Sequence, residues 1–350
     1  MAYTTIDDPE LYFQTKLYTG NGSSRSITFD GDEDMQPDWS WFKARSEAYN
    51  HALFDSVRGT TKLIRSNQNT AEETHSTTLT AFNSDGFSLG GGDAFTNANT
   101  VTYASWHWKA GGSASSNSDG TITSSVSAST DAGLSIVAYT GTGSNATIGH
   151  GLGAVPKIII TKKRSASQGW HVQHASLGAT KELYLNTNDS VATGSTPWND
   201  TAPTSSVFSV GTSGGTNGSS ATYIAYCFAE KQGYSKFGSF TGNANTNGPM
   251  LYTGFRPAWF LVKNTAASEH WRIYDNKRNT FNHMFRLLNA NAGFAESTVD
   301  NASEEIDFLS NGVKIRSSAA QLNGSGQTLI YMAFAESPFV NSNGIPNNAR

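Results

Sequence analysis

One set of sequence signals occurs three times along this 350-residue chain. Each occurrence opens on an aromatic residue followed by Thr and Gly, and continues to a proline with a lysine six positions beyond it. The aromatic residues are Tyr18, Tyr139 and Phe240, the prolines are Pro37, Pro156 and Pro257, and the lysines are Lys43, Lys162 and Lys263. Because the spacing is the same three times, it predicts three copies of one structural unit.

Short apolar runs dominate each copy. They are rich in Val, Ile, Phe, Tyr and Trp and are bounded by Gly, Asn, Asp or Pro, which is typical of strands rather than helices. Trp39 and Trp41 are two residues apart, as are Trp106 and Trp108, so strand geometry places each pair on one face. The pattern predicts an all-β fold of three tandem antiparallel β-sandwich repeats, jelly-roll-like and about 100 residues each.

The repeats divide the chain into segments. The prediction is an N-terminal arm at 1–15, unit 1 at 16–109, a Gly/Ser/Thr-rich linker at 110–131, unit 2 at 132–230, unit 3 at 235–336 and a C-terminal tail at 337–350. The linker composition predicts a flexible or extended connector. Because units 2 and 3 are joined by only a few residues, we expect them to pack together and unit 1 to be set apart.

Composition argues against several classes of function. Net charge is −4, with 24 Lys+Arg against 28 Asp+Glu, which disfavours nucleic acid as a partner. No apolar run approaches the length of a membrane-spanning helix, and residues 1–10 lack the features of a signal peptide, so we expect synthesis in the cytoplasm without membrane insertion. The single cysteine, Cys227, excludes an intramolecular disulfide framework and a multi-thiolate metal site.

Two short motifs carry a possible chemistry that their context contradicts. Residues 211–215 fit the G-x-S-x-G pattern of a serine hydrolase, but a polar stretch follows Ser213 where the nucleophile elbow needs a helix, so a loop is predicted. Residues 149–153 are glycine-rich like a phosphate cradle, but a strand follows them, so a turn is predicted.

Two possible metal sites are weak for similar reasons. Asp30, Asp32 and Asp34 alternate like the start of a calcium loop, but the sixth and twelfth positions lack the required Gly and Glu, so a carboxylate-rich turn is predicted. His171 and His174 lie in a predicted strand, where a spacing of three directs them to opposite faces.

The features that recur are expected to be structural. The repeated lysines are candidates to pair with a repeated acid, which is Asp55 in unit 1 and Asp275 in unit 3, although unit 2 has His174 at that position. A shared packing role for these lysines is favoured. Trp106 and Trp108 could form a sugar-stacking platform, but their strand alternation favours burial. We therefore predict no enzyme activity, no catalytic, cofactor-binding or metal-binding residues and no cofactor, and assign no receptor-binding residue.

The same segments carry a family resemblance. Residues 11–23, 53–59 and 82–88, then 149–162 with 223–230, and finally 331–336, resemble repeat-containing virion proteins of tailed bacteriophages, especially short-tailed marine ones. The resemblance covers nearly the whole chain. It implies a structural protein of the virion, assembled in the host cytoplasm, with copies of itself and other virion proteins as partners.

Three hypotheses for function follow from these observations. The leading one is a tail or fibre component that assembles as a homo-oligomer and contacts the host surface. The alternatives are a head decoration or fibre protein of the capsid, and a carbohydrate-binding adhesion module that recognises a host surface glycan.

Overall fold

The fold is all-β, and its strands form several antiparallel sheets. The structure, a computed structural model, describes residues 3–347. In the range of unit 1 the strands are β1 (Phe13–Thr19), β2 (Arg25–Ile27), β3 (Trp39–Ala44), β4 (Ala52–Asp55), β5 (Gly59–Ile64), β6 (Glu73–Thr74), β7 (Leu79–Phe82), β8 (Phe87–Leu89) and β9 (Thr102–Trp108). A 3-10 turn, Pro9–Leu11, precedes them.

Ten strands form between unit 1 and the end of unit 2. They are β10 (Ser115–Asn117), β11 (Ser124–Ser129), β12 (Leu134–Thr140), β13 (Ala146–Gly149), β14 (Ile158–Lys163), β15 (Trp170–His174), β16 (Lys181–Tyr184), β17 (Ala192–Thr193), β18 (Val207–Val210) and β19 (Thr222–Phe228), with β20 (Ser235–Thr241) opening unit 3. The rest of unit 3 has β21 (Met250–Tyr252), β22 (Phe255–Asn264), β23 (Arg272–Asp275), β24 (Leu288–Asn289), β25 (Ile306–Leu309), β26 (Gly312–Ile315), the four-residue helix α1 (Ala320–Asn323) and β27 (Thr328–Pro338).

The same strand order recurs in the large sheet of each unit. The orders are β1-β9-β3-β4-β5-β6, then β10-β11-β12-β19-β14-β15-β16-β17, then β20-β27-β22-β23-β24. In every case the last strand of the unit lies between its first strand and the strand that follows the proline or, in unit 3, contains it. The small sheets are β2-β8-β7, β13-β18 and β21-β26-β25.

Alternation along the strands gives each large sheet two buried faces. In β3, Trp39 and Trp41 belong to a core cluster that all three units share, whereas Phe42 and Ala44 belong to a separate cluster with Phe87 of the small sheet. Every residue of β3 is buried. The large sheets therefore pack against a small sheet on one side and against the other units on the opposite side.

Aromatic rings from all three units meet in the shared core. The distance between ring centroids is 4.6 Å for Trp39 of unit 1 and Tyr226 of unit 2, and 5.5 Å for Trp108 of unit 1 and Trp259 of unit 3. It is 5.9 Å for Phe334 of unit 3 and Phe228 of unit 2. The expectation that unit 1 is set apart is therefore wrong. The prediction relied on the length of the connecting segments, which is short only between units 2 and 3. The three units pack together because each buries aromatic side chains in the shared core.

The segment predicted as a linker is partly strand. β10 and β11 lie within 110–131 and extend the large sheet of unit 2 beyond β12. Val126 pairs with Val137 and is buried in the core of unit 2. The Ser- and Thr-rich composition predicted a connector, but such residues also form strands at the edge of a sheet. There the strand needs only a small apolar residue at alternate positions to cover its neighbour.

The glycine of each aromatic-Thr-Gly signal is required by a close backbone approach. A Cβ at Gly20 would lie 2.1 Å from Ala98 O, one at Gly141 would lie 2.5 Å from Gly218 O, and one at Gly242 would meet Gly324 O at 2.3 Å. No L side chain fits at such a distance. Across residues 3–347, no helix is long and apolar enough to cross a membrane.

Candidate functional site

The three units meet in a closed ring of seams, and each seam carries the same side-chain hydrogen bond. At equivalent positions a ring nitrogen donates to a backbone carbonyl of the neighbouring unit: Trp170 Nε1 to Arg65 O at 2.9 Å, Trp271 Nε1 to Tyr184 O at 3.0 Å and His51 Nε2 to Asn289 O at 2.9 Å. The first bond joins units 2 and 1, the second units 3 and 2, and the third units 1 and 3. The contacts run in one direction around the ring, which defines a pseudo-threefold arrangement.

A backbone hydrogen bond repeats in the same cyclic order. Glu72 N donates to Arg164 O at 2.9 Å, Val191 N donates to Thr265 O at 2.8 Å, and Glu296 N donates to Arg45 O at 2.8 Å. These six residues occupy two equivalent positions. Two of the three seams thus pair a glutamate with an arginine, whereas the seam between units 2 and 3 has a valine and a threonine there.

Charge strengthens the two seams that involve unit 1. Arg164 Nε and Nη2 donate to the carboxylate of Glu72 at 2.9 and 3.0 Å. Arg45 Nη2 donates to Glu296 at 2.8 Å, and Arg278 Nη1 reaches the same carboxylate at 3.1 Å. The Glu296 side chain is 3% exposed, so this cluster is screened little by solvent.

The repeated acidic position is buried against the core that the three units share. Tyr226 Oη donates to Asp55 Oδ2 at 2.7 Å, and Trp106 Nε1 donates to Asp275 Oδ2 at 3.0 Å. His174 replaces the acid in unit 2, and its Nε2 donates to Tyr331 O at 3.4 Å. Each of these positions therefore contacts the last strand of the next unit.

An arginine, not the repeated lysine, pairs with each acid. Arg58 pairs with Asp55 and Arg278 pairs with Asp275, and all four side chains are fully buried. The predicted pairing of Lys43 with Asp55 is wrong because Asp55 lies opposite Trp39 in the ladder, at the other end of β3 from the lysine.

The repeated lysines bind backbone carbonyls instead. Lys162 Nζ donates to Gln168 O of its own loop at 2.7 Å and to Asn69 O of unit 1 at 3.2 Å. Lys263 Nζ likewise donates to Glu269 O at 2.7 Å and to Asn188 O of unit 2 at 3.1 Å.

Burial disfavours the charged form of these lysines. It lowers the pKa of Lys43 to about 7, and it lowers the pKa of Lys162 and of Lys263 to about 8. Lys43 Nζ donates to Ala44 O and Glu47 O within its own unit. The favoured packing role fits this geometry, because each ammonium fastens the loop that follows its strand.

Residues 211–215 and 149–153, for which a loop and a turn were predicted, both lie in turns. Ser213 O accepts from Thr216 N and Asn217 N at 3.1 and 2.7 Å, which places the serine at the start of a turn and not at a strand-to-helix elbow. Gly151 and Gly153 have φ of +68° and +65° and follow the end of β13.

The two histidines of β15 lie on opposite faces, as predicted. His171 Nδ1 lies 2.9 Å from Glu182 Oε2 on the face away from the ring, while His174 contacts unit 3. Burial lowers the pKa of His174 to about 4. Asp30, Asp32 and Asp34 lie in an exposed loop, where Asp30 pairs with Lys16.

One further group has the donor types of a metal site. His283 Nε2 lies 2.9 Å from Asp300 Oδ1 and 3.8 Å from Glu305 Oε1 in the long loop region of unit 3. The histidine and Asp300 are exposed, and the contacts between the three groups are those of ordinary surface ion pairs.

Trp106 and Trp108 are buried, with 0% and 1% of their surface exposed. They contact other aromatic rings of the shared core and present no face to solvent. The glycan-stacking interpretation of these two residues is therefore wrong, and the burial prediction is confirmed.

Sequence reasoning missed a buried asparagine in each unit. Asn97, Asn217 and Asn323 are each 0% exposed and accept from the backbone N–H at Asn21, Thr142 and Asn243, at 3.1, 2.8 and 2.7 Å. Each lies five residues before the threonine that opens the last strand. That constant spacing was the available signal, hidden among many other asparagines.

The comparison with protein families matches almost the whole of this ring. The family described as "Domain of unknown function (DUF7483)" matches residues 8–338, from the 3-10 turn to the end of β27. The chain belongs to this family. No curated protein and no solved structure matches the chain.

Proposed function

We propose that this chain is a non-enzymatic structural protein of a bacteriophage virion, a tail or fibre component built from three tandem antiparallel β-sandwich repeats. It assembles as a homo-oligomer and binds other virion proteins, and its loops contact the host surface. The observation that carries the proposal is the ring of equivalent seams. The recurrent lysines, acids and tryptophans all contribute to packing between or within units.

The sequence resemblance to phage virion proteins supports the assignment to a virion, and the ring of packed units supports a mechanical role in it. The large sheets have both faces covered, and their apolar side chains divide between the core that all three units share and the cores beneath the small sheets. A protein that serves as a rigid part of an assembly needs such a core more than it needs a deep cleft.

Immunogold electron microscopy of intact phage particles tests the proposal. The antibody should be raised against the full chain, because the shared core shows that a fragment lacks part of its packing. Label at the tail supports the tail or fibre assignment, and label over the shell assigns a head decoration protein instead. Particles that carry no label, although the same antibody detects the purified chain, would refute a virion role.

A further inference from the structure

The first strand of each unit has one side turned away from the last strand of that unit, and this outer side is covered differently in the three units. In unit 2, β11 and β10 cover β12. In unit 1, the loop that contains Asp30 and Gly31 lies against β1, where Gly31 N donates to Gln14 Oε1 at 3.3 Å. In unit 3, Lys231 pairs with Ser235 at the start of β20, and beyond that pair no strand within residues 3–347 covers the outer edge of β20.

Alignment on the aromatic-Thr-Gly signals shows which groups this edge presents. Ser239 is equivalent to Ala138, and Ala138 pairs with Ser125 of β11. Gly242 N donates to Gln327 O at 2.9 Å, so alternation along the ladder directs the N–H groups of Ser239 and Thr241 away from β27.

The side chains near this edge are correspondingly uncovered. Ser239 and Thr241 are exposed and Phe240 is partly exposed, whereas Tyr139, which is equivalent to Phe240, is 5% exposed beneath its neighbours. At the start of the edge, Glu230 Oε2 accepts from Phe237 N at the long distance of 3.5 Å.

We propose that the edge of β20 binds an extended, uncharged segment of another polypeptide by antiparallel strand addition. The chemistry of the occupant follows from unit 2, where the covering strand has serines at 125, 127 and 129 with Val126 and Ala128 between them. Val126 lies opposite Val137, whose equivalent in unit 3 is Gly238. The Tyr331 ring already lies over Gly238, so a β-branched residue at that position of the occupant would pack beside this ring and cover the exposed side of Phe240.

A fluorescein-labelled peptide with the sequence of residues 122–127, which ends before the position that Lys231 occupies opposite Ser235, is the probe. It is titrated into the full chain and followed by anisotropy. The Ser239→Pro variant removes the outward N–H, and Ser239→Ala is the matched control because it keeps the backbone donor. We expect wild type and S239A to bind equally and S239P to bind about tenfold more weakly, the equivalent of one net hydrogen bond of about 1.4 kcal/mol. Equal binding by S239P and S239A would overturn the proposal.

Hydrogen exchange on the wild-type chain keeps the test decisive if S239P does not fold. Added peptide should slow exchange at residues 237–241. Protection confined to 134–138 would mean that the peptide replaces the chain's own β11, and protection at 237–241 that rises with protein concentration alone would assign the edge to a second copy. Either result, or no protection at any peptide concentration, overturns the proposal.

Discussion

Replacing Lys162 with methionine should remove a specific pH dependence of stability. Lys162 is 0% exposed, and burial lowers the pKa of its ammonium from 10.5 to about 8. The folded chain therefore binds fewer protons at this site than the unfolded chain between these two pH values. The contribution of Lys162 to the free energy of unfolding must then rise with pH across that window, and this contribution must be lowest below pH 8.

The magnitude follows from the two pKa values. A pKa lowered from 10.5 to about 8 corresponds to about 3 kcal/mol over the whole window, of which about 2 kcal/mol falls between pH 7 and pH 10. In K162M the carbonyls of Gln168 and Asn69 lose their donor, which costs about 1–3 kcal/mol at every pH. This constant cost does not change the slope.

Urea unfolding of both proteins at pH 7 and pH 10 measures the effect. Titration of other groups cancels in the difference between wild type and variant, and Lys181→Met, at a partly exposed lysine, sets the background for losing a lysine as such. We expect wild type to gain about 2 kcal/mol relative to K162M between the two pH values. If the difference in free energy of unfolding between wild type and K162M is the same at both pH values, the inference that burial disfavours the charged form of Lys162 is refuted.

Four further outcomes are expected. Trp106→Phe should lower the free energy of unfolding in urea by about 1–3 kcal/mol more than Trp108→Phe, because only the first indole donates to a buried carboxylate; equal losses would contradict the bond. Glu296→Ala should cost about 3 kcal/mol by the same measurement, since Arg45 loses its carboxylate partner and the buried Arg278 keeps only Asp275, and a loss below 1 kcal/mol would contradict the cluster. Deletion of residues 1–109 should abolish the cooperative melting transition in calorimetry, because it exposes the shared core; a retained transition would show that units 2 and 3 fold alone. Cys227, which is buried and has a raised pKa for that reason, should react with a thiol reagent only in denaturant.

The strands were predictable because their signals are local. Alternation around Trp39 and Trp41, and the glycine after each aromatic-Thr pair, are set by neighbouring residues and by close approaches within one unit. The all-β class followed directly from these patterns.

The ring could not be predicted in the same way. Its hydrogen bonds join residues such as His51 and Asn289, which are far apart in sequence and are mostly directed at backbone carbonyls. A carbonyl is present at every residue and leaves no sequence signal, so nothing marked Arg65 or Tyr184 as an acceptor. The recurrence of the lysine predicted importance but not its partner, and pairing by charge alone pointed to the wrong residue.

Because the three units of the ring belong to one polypeptide, their sequences can differ from one another. In a homotrimer every substitution is copied three times, so a feature useful on one side is imposed on all. Here His174 stands in one unit where the other two units have an acid, β10 and β11 extend the large sheet of one unit alone, and one seam has Val191 and Thr265 where the others pair a glutamate with an arginine. Because the seams are intramolecular, they also persist on dilution, and each outward face of the chain can specialise for a different neighbour.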